Sequence, residues 1–255
     1  MNLHRRACAV IASLTLLILP AAASGDRTAK VVAPAMPNQS ADLCNGEGDI
    51  RVDNWIKACT ALLQSAAPAS ERAVAFYNRA RAYRMSGENK LAIADYTSAI
   101  SLMSGFSVAY QNRGVAYSAS GDLDHAIADY SQAIKLQPDL AVAYNNRAVA
   151  YKSKRAFDQA LADLDRAIEL DPQSPWGYNN RGDTYFLKGD WSKAIADYSL
   201  ALALNPELSY SLFARGAAKT HRGDSFSGRA DIAAATELNP KVAEEQAKDG
   251  IVPRT

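Results

Sequence analysis

Histidine and cysteine are scarce in this 255-residue chain, three of each, and that scarcity removes most metal and nucleophile chemistry at the outset. His125 and His221 have no cysteine or carboxylate near them at metal-ligand spacing, so no zinc site is read. A phosphate-cradling glycine loop and a dinucleotide fingerprint are both missing. Gly223-Asp224-Ser225-Phe226-Ser227-Gly228, beside His221, is one residue too long for a nucleophile elbow and has no strand before it. A charge excess is missing too. With 28 basic residues against 27 acidic ones, bulk electrostatics does not draw the chain to nucleic acid. Strict apolar/polar alternation, the mark of a half-buried strand, occurs nowhere. The one long apolar run, Ala7 to Leu19, falls short of the ~20 residues a membrane span needs. These absences predict no enzyme, no cofactor and no metal.

The start of the chain reads as a leader. His4, Arg5 and Arg6 precede the apolar run, and Pro20 and Ala21-Ala22-Ala23 follow it. Residues 1–23 therefore read as a secretory signal peptide cut after Ala23. The protein is then exported, to a bacterial periplasm or beyond, and keeps no membrane span. Cys8 stands at the start of the apolar stretch, ahead of its core and not after it, and so cannot serve as a lipoprotein attachment cysteine. Its loss leaves Cys44 and Cys59, an even count that in an exported chain points to a disulfide. Residues 24–41, rich in proline, serine and alanine, read as a flexible linker. Residues 42–70 read as a helical cap, a half-repeat in which Asp53 caps a helix bearing Trp55, Ile56, Cys59, Leu62 and Leu63.

Beyond residue 70 the chain repeats every 34 residues. Arg79, Arg113, Arg147, Arg181 and Arg215 keep that interval, as do Asp95, Asp129, Asp163, Asp197 and Asp231. Phrases such as AYQNRGVAYSASGDLDHAIADYSQAIKLQP recur without insertion or deletion. Each unit reads as two helices. Gly121-Asp122 separates them in the second unit, glycine ending the first helix and aspartate capping the next. Ala126, Ile127, Tyr130, Ala133 and Ile134 then recur at three and four residues, which gives one apolar face. No unit can bury that face alone, so neighbours must stack.

Counting each unit from Ala73, Ser107, Ala141, Pro175 and Ser209, the eighth position is small (Ala80, Gly114, Ala148, Gly182, Gly216). The eleventh holds Tyr83, Tyr117, Tyr151, Tyr185 and Lys219. The twentieth holds Ala92, Ala126, Ala160, Ala194 and Gly228, and Pro138, Pro172, Pro206 and Pro240 close four units. This pattern resembles the tetratricopeptide repeat over residues 73–242. The resemblance implies an all-α, right-handed α-solenoid of five stacked helix–turn–helix repeats (73–106, 107–140, 141–174, 175–208 and 209–242, within 71–242). Residues 243–255 follow as a polar helix from about Lys241 to Lys248 and a fraying tail. The segment from Cys44 to Ser65 is also similar to the opening of secreted tetratricopeptide proteins of some bacteria.

The seventh position departs from the family, with arginine where leucine is usual. Its companion is the aspartate at position 23, and a ladder of structural ion pairs is expected, within a repeat or between neighbours. The fifth repeat departs further at Lys219 and Gly228, as a terminal repeat does. In this family the first helices line a concave groove that takes peptides or proteins. Carried over to this chain, that implies a groove of Asn78, Asn112, Asn146 and Asn180 with Tyr77, Trp176, Tyr210 and Phe213. Asparagine can donate and accept at once, so it suits a peptide backbone; bridging helices within the stack is the competing role. The expected function is an exported adaptor for a protein or peptide partner. The alternative is an envelope component that self-associates through the ends of its solenoid.

Overall fold

The computed structural model describes residues 43–46 and 51–254. The expected leader and linker lie outside them. Among the described residues the chain is helical, with no strand. After α1 (Val52–Gln64) come five helical pairs: α2 (Ala69–Met85) and α3 (Asn89–Leu102); α4 (Ser107–Ala119) and α5 (Leu123–Leu136); α6 (Ala141–Ser153) and α7 (Phe157–Leu170); α8 (Pro175–Lys188) and α9 (Trp191–Leu204); α10 (Ser209–Arg222) and α11 (Ser225–Leu238). A short α12 (Val242–Lys248) follows.

Small residues bring the two helices of a pair together. A Cβ on Gly114 would lie 2.7 Å from the Tyr130 ring and 3.2 Å from the Ala126 carbonyl oxygen. Tyr96, Tyr130, Leu164 and Tyr198, at position 24, are buried and fill the wider gap beside that contact. The turn inside each pair needs a left-handed residue. Gly87, Gly121, Gly189 and Gly223 supply it at φ 78°, 81°, 82° and 100°, and Arg155 takes the same place in the third pair at φ 59°. Asp122, Asp190 and Asp224 then accept the backbone N–H three residues on and so cap α5, α9 and α11.

Each first helix packs on both flanking second helices and also touches the first helices of neighbouring repeats. Second helices of neighbouring repeats do not meet. The stack therefore bends with its first helices on the inner side, and that curvature creates the groove.

Both ends differ from expectation. Asp53 does not cap α1. Arg51 occupies the N-cap, and Asp53 sits within the first turn, where its charge favours the helix dipole. The first helix of repeat one begins at Ala69, four residues before the register of Ala73. At the far end residues 249–254 do not fray: Ile251 is fully buried.

Candidate partner-binding groove

The arginine at position seven grips the aspartate of its own repeat with two parallel hydrogen bonds. Arg147 donates from Nε to Asp163 Oδ2 and from Nη2 to Asp163 Oδ1, both at 2.7 Å. The same fork joins Arg79 to Asp95, Arg113 to Asp129, Arg181 to Asp197 and Arg215 to Asp231. The third nitrogen crosses to the preceding second helix. Nη1 of Arg113 donates to Thr97 Oγ1, that of Arg147 to Ser131 Oγ, that of Arg181 to Asp165 Oδ1 and that of Arg215 to Ser199 Oγ, each 16 positions back. Arg79 reaches Thr60 Oγ1 of α1 across 19 positions, so the cap joins the ladder through a longer connection. The carboxylate hydrogen bonds hold Arg79, Arg113, Arg147 and Arg181 above the ordinary guanidinium range, against partial desolvation. One residue thus ties three helices, and the ladder is structural.

The asparagines of position six are mostly engaged inside the stack. Asn78 donates to Asn45 Oδ1 (3.3 Å), Asn112 to the Tyr77 hydroxyl (2.9 Å) and Asn180 to Asn145 Oδ1 (2.9 Å). Each bridges to the preceding helical layer. Asn146, half-buried, has no hydrogen-bond partner among the described residues. The expected groove aromatics also pack inward. Tyr77 packs tilted against Phe106 and Tyr96, and burial raises its hydroxyl pKa. Phe213 is buried against Ala235 and Val242. Trp176 packs on the cluster of Ala201, Leu202 and Leu208. Tyr210 donates to Glu245 Oε2 at 2.9 Å; burial, then that bond, pushes its hydroxyl up to about 12.

The inner face is built instead from positions nine, twelve and thirteen of the first helices. Arg81 lies 5.2 Å from the Trp55 ring and 5.8 Å from the Tyr77 ring, a cation–π arrangement. Arg84, one turn on, stands beside the buried hydroxyl of Tyr96. Neither arginine has a carboxylate partner among the described residues. Farther along, Lys152 pairs with Asp183 at 2.8 Å with both side chains nearly buried, and Asp183 also accepts from the Tyr198 hydroxyl at 3.0 Å. Phe186, Leu187, Thr220 and His221 complete this stretch. Sequence reasoning missed these positions, yet a signal existed. Arg81, Val115, Val149, Asp183 and Ala217 share position nine and vary freely, while the packing positions around them stay fixed.

Cys44 and Cys59 are fully buried, with their sulfurs 2.15 Å apart, at disulfide distance. No cluster of residues able to hold a metal ion occurs among the described residues, and no described helix is long and apolar enough to cross a membrane.

A family model of the tetratricopeptide repeat matches residues 141–174 and 175–208, and a second, described as TPR repeat, matches 114–154. A search against curated proteins finds no match. Among solved structures, MamA from Desulfovibrio magneticus RS-1 superposes at TM-score 0.60 with 18% identity, over 67% of this chain and 96% of that one. YrrB, described as a TPR protein with an unusual peptide-binding site, gives 0.58 and 18%, over 76% and 99%. The C-terminal part of a TPR repeat-containing protein from Cytophaga hutchinsonii gives 0.63 and 16%, over 82% and 81%. Paired helices, signature positions and matched repeats agree: residues 114–208 carry tetratricopeptide repeats, and the described helices share the fold of tetratricopeptide-repeat proteins.

Proposed function

We propose that this protein is a non-catalytic, exported adaptor that binds an acidic segment of a protein partner on its inner face. One observation carries the reading: Arg81 and Arg84 stand together on that face, backed by Trp55, Tyr77 and Tyr96, with no carboxylate partner among the described residues. A guanidinium held against aromatic rings keeps free edges for a carboxylate. Asn146, one helical turn before position nine of the third repeat, retains an amide for a peptide backbone. The peptide-binding site named for the similarly folded YrrB is consistent with this use of the fold. A bond between Cys44 and Cys59 would pin the cap over the first repeat and fits an oxidising compartment.

The test is a peptide array scored by composition. Wild-type protein is expected to select sequences enriched in aspartate and glutamate, and Arg81→Ala/Arg84→Ala to lose at least tenfold in signal on them. An array pattern without acidic enrichment, unchanged in the double variant, would remove the proposal. A second reading, self-association through the solenoid end, draws on Phe226 and Leu238, which α11 leaves 83% and 52% exposed. Light scattering across concentration separates the two, since a strictly monomeric chain rejects self-association.

A further inference from the structure

The stretch after α12 turns back across the inner face of repeats four and five. Gly250, at φ +79°, makes the reversal, and a Cβ there would lie 3.2 Å from Leu187 Cδ2. Ile251 then enters a cluster with Phe186, Ala214, Ala217 and Ala218, flanked by Leu187 and Trp191, and has no exposed surface. Beyond it the chain is non-helical and held by its backbone. The Val252 carbonyl oxygen lies 2.9 Å from His221 Nε2, and the Arg254 N–H donates to Thr220 Oγ1 at 2.9 Å. Asp249, at the entry, sits in the field of Lys152 and Asp183. Backbone hydrogen bonds and one deeply seated side chain are how grooves hold extended peptides.

The seat is specific to the fifth repeat. Position six is asparagine in repeats one to four and Ala214 in repeat five. Position nine is arginine, valine, valine and aspartate in those repeats and Ala217 in the fifth. Both exchanges to alanine remove side-chain volume where Ile251 lies.

We infer that this seat is a binding site for an extended segment with a branched aliphatic side chain after a glycine. Residues 250–254 are its resident ligand, and an incoming segment of that kind must displace them. The inference rests on the reading of the inner face as a binding surface, but it concerns a different stretch from Arg81 and Arg84. It also needs no outside partner to be tested. A tethered segment acts at an effective concentration on the order of millimolar, so the intact chain excludes competitors.

The test uses the full chain and a fluorescent peptide of residues 248–255 added in trans, followed by anisotropy. Ile251→Ser, which frees the tethered segment, is expected to bind the peptide saturably and at least tenfold more tightly than wild type. Ile251→Ser/Ala217→Leu, which fills the seat from the groove side, is expected to lose that binding. Equal uptake by wild type and Ile251→Ser overturns the inference, as does absence of uptake by an Ile251→Ser chain with undiminished helical circular dichroism. If Ile251→Ser unfolds, Ile251→Ala is read by the same two outcomes. Peptide uptake by Ile251→Ser with no acidic selectivity on the array would leave this seat standing and reject the Arg81/Arg84 reading; the converse pair of results does the opposite.

Discussion

Replacing Arg147 by alanine tests whether the arginine ladder holds the solenoid together. Arg147 gives two hydrogen bonds to Asp163 and one to Ser131, so its removal cuts ties within the third repeat and to the second. Asp163 is left 9% exposed at its side chain, without its cation. Breaking a fully buried pair costs about 3–5 kcal/mol. Arg147 keeps 19% of its side-chain surface in water, and solvent screening trims the expected loss to roughly 2–3 kcal/mol. For a helical array of this size that corresponds to a fall in Tm of about 4–12 °C. Arg147→Lys keeps the charge but loses the planar fork, and is expected to lose about half as much. Arg147→Leu/Asp163→Leu removes both charges and is expected within about 1 kcal/mol of wild type. Thermal melts by circular dichroism compare these proteins, and Arg147→Leu and Asp163→Leu measured singly close the cycle with the double variant. A loss under about 0.5 kcal/mol for Arg147→Ala, or additive single and double variants, would show that the pair is ornamental and the reasoning wrong.

Four further outcomes follow from other contacts. Gly216→Val places a side chain against the Gly228 carbonyl oxygen, which already lies 2.6 Å from an added Cβ; backbone cannot yield, so a loss of at least about 3 kcal/mol is expected by chemical denaturation. Arg155→Gly relieves a left-handed residue at φ 59°. Set against the flexibility glycine adds to the unfolded chain and the lost contact of Arg155 with Phe157, it is expected to raise stability by up to about 1 kcal/mol, seen as a higher Tm. Asp231 loses water to burial, but Arg215 and Lys219 outweigh that and hold its carboxyl below the ordinary value of 3.8. Its stabilisation is therefore present above that value and lost as pH falls through the depressed one, so melts of wild type and Asp231→Asn should converge toward acid and part above about pH 5. Reduction of a Cys44–Cys59 bond, whose cysteines lie 15 positions apart, should cost about 3 kcal/mol, and a melt unchanged by dithiothreitol would exclude the bond.

The helical pairs were legible because their signals are local and repeated. Gly121 and Asp122 mark a turn by their own backbone preferences, and Gly114 announces a crossing because nothing larger fits beside Tyr130. The Arg–Asp partnership was legible as a shared interval, although only the coordinates show the third nitrogen reaching Thr97 or Ser131. The groove was harder to read. Asn112 and Tyr77 have the chemistry of ligand-binding residues, and their mutual hydrogen bond is formed between repeats, where one helix's pattern carries no information. Arg81 and Arg84 look like ordinary solvated charges until curvature places them on the inner face. The segment after Lys248 was misjudged as fraying because its polar neighbours hid one isoleucine, whose burial depends on side chains far upstream.

The fifth repeat shows how such departures can be told from decay. A decaying repeat accumulates changes without partners, whereas four of the changes here have one. Gly228 replaces alanine at position twenty and meets Gly216, letting α10 and α11 approach backbone to backbone. Lys219 replaces tyrosine at position eleven and gives Asp231 a second cation at 2.8 Å. Ala214 and Ala217 replace larger side chains, and Ile251 shares their cluster. A terminal repeat must satisfy its outer side without a following copy. Here α12 covers part of that side through Val242 on Phe213 and Ala235, and the chain then continues past the edge into the groove. Covering the edge requires only α12; the turn at Gly250 and the burial of Ile251 lie beyond that need. The surplus is what separates a segment that closes a solenoid from one that lies along its inner face.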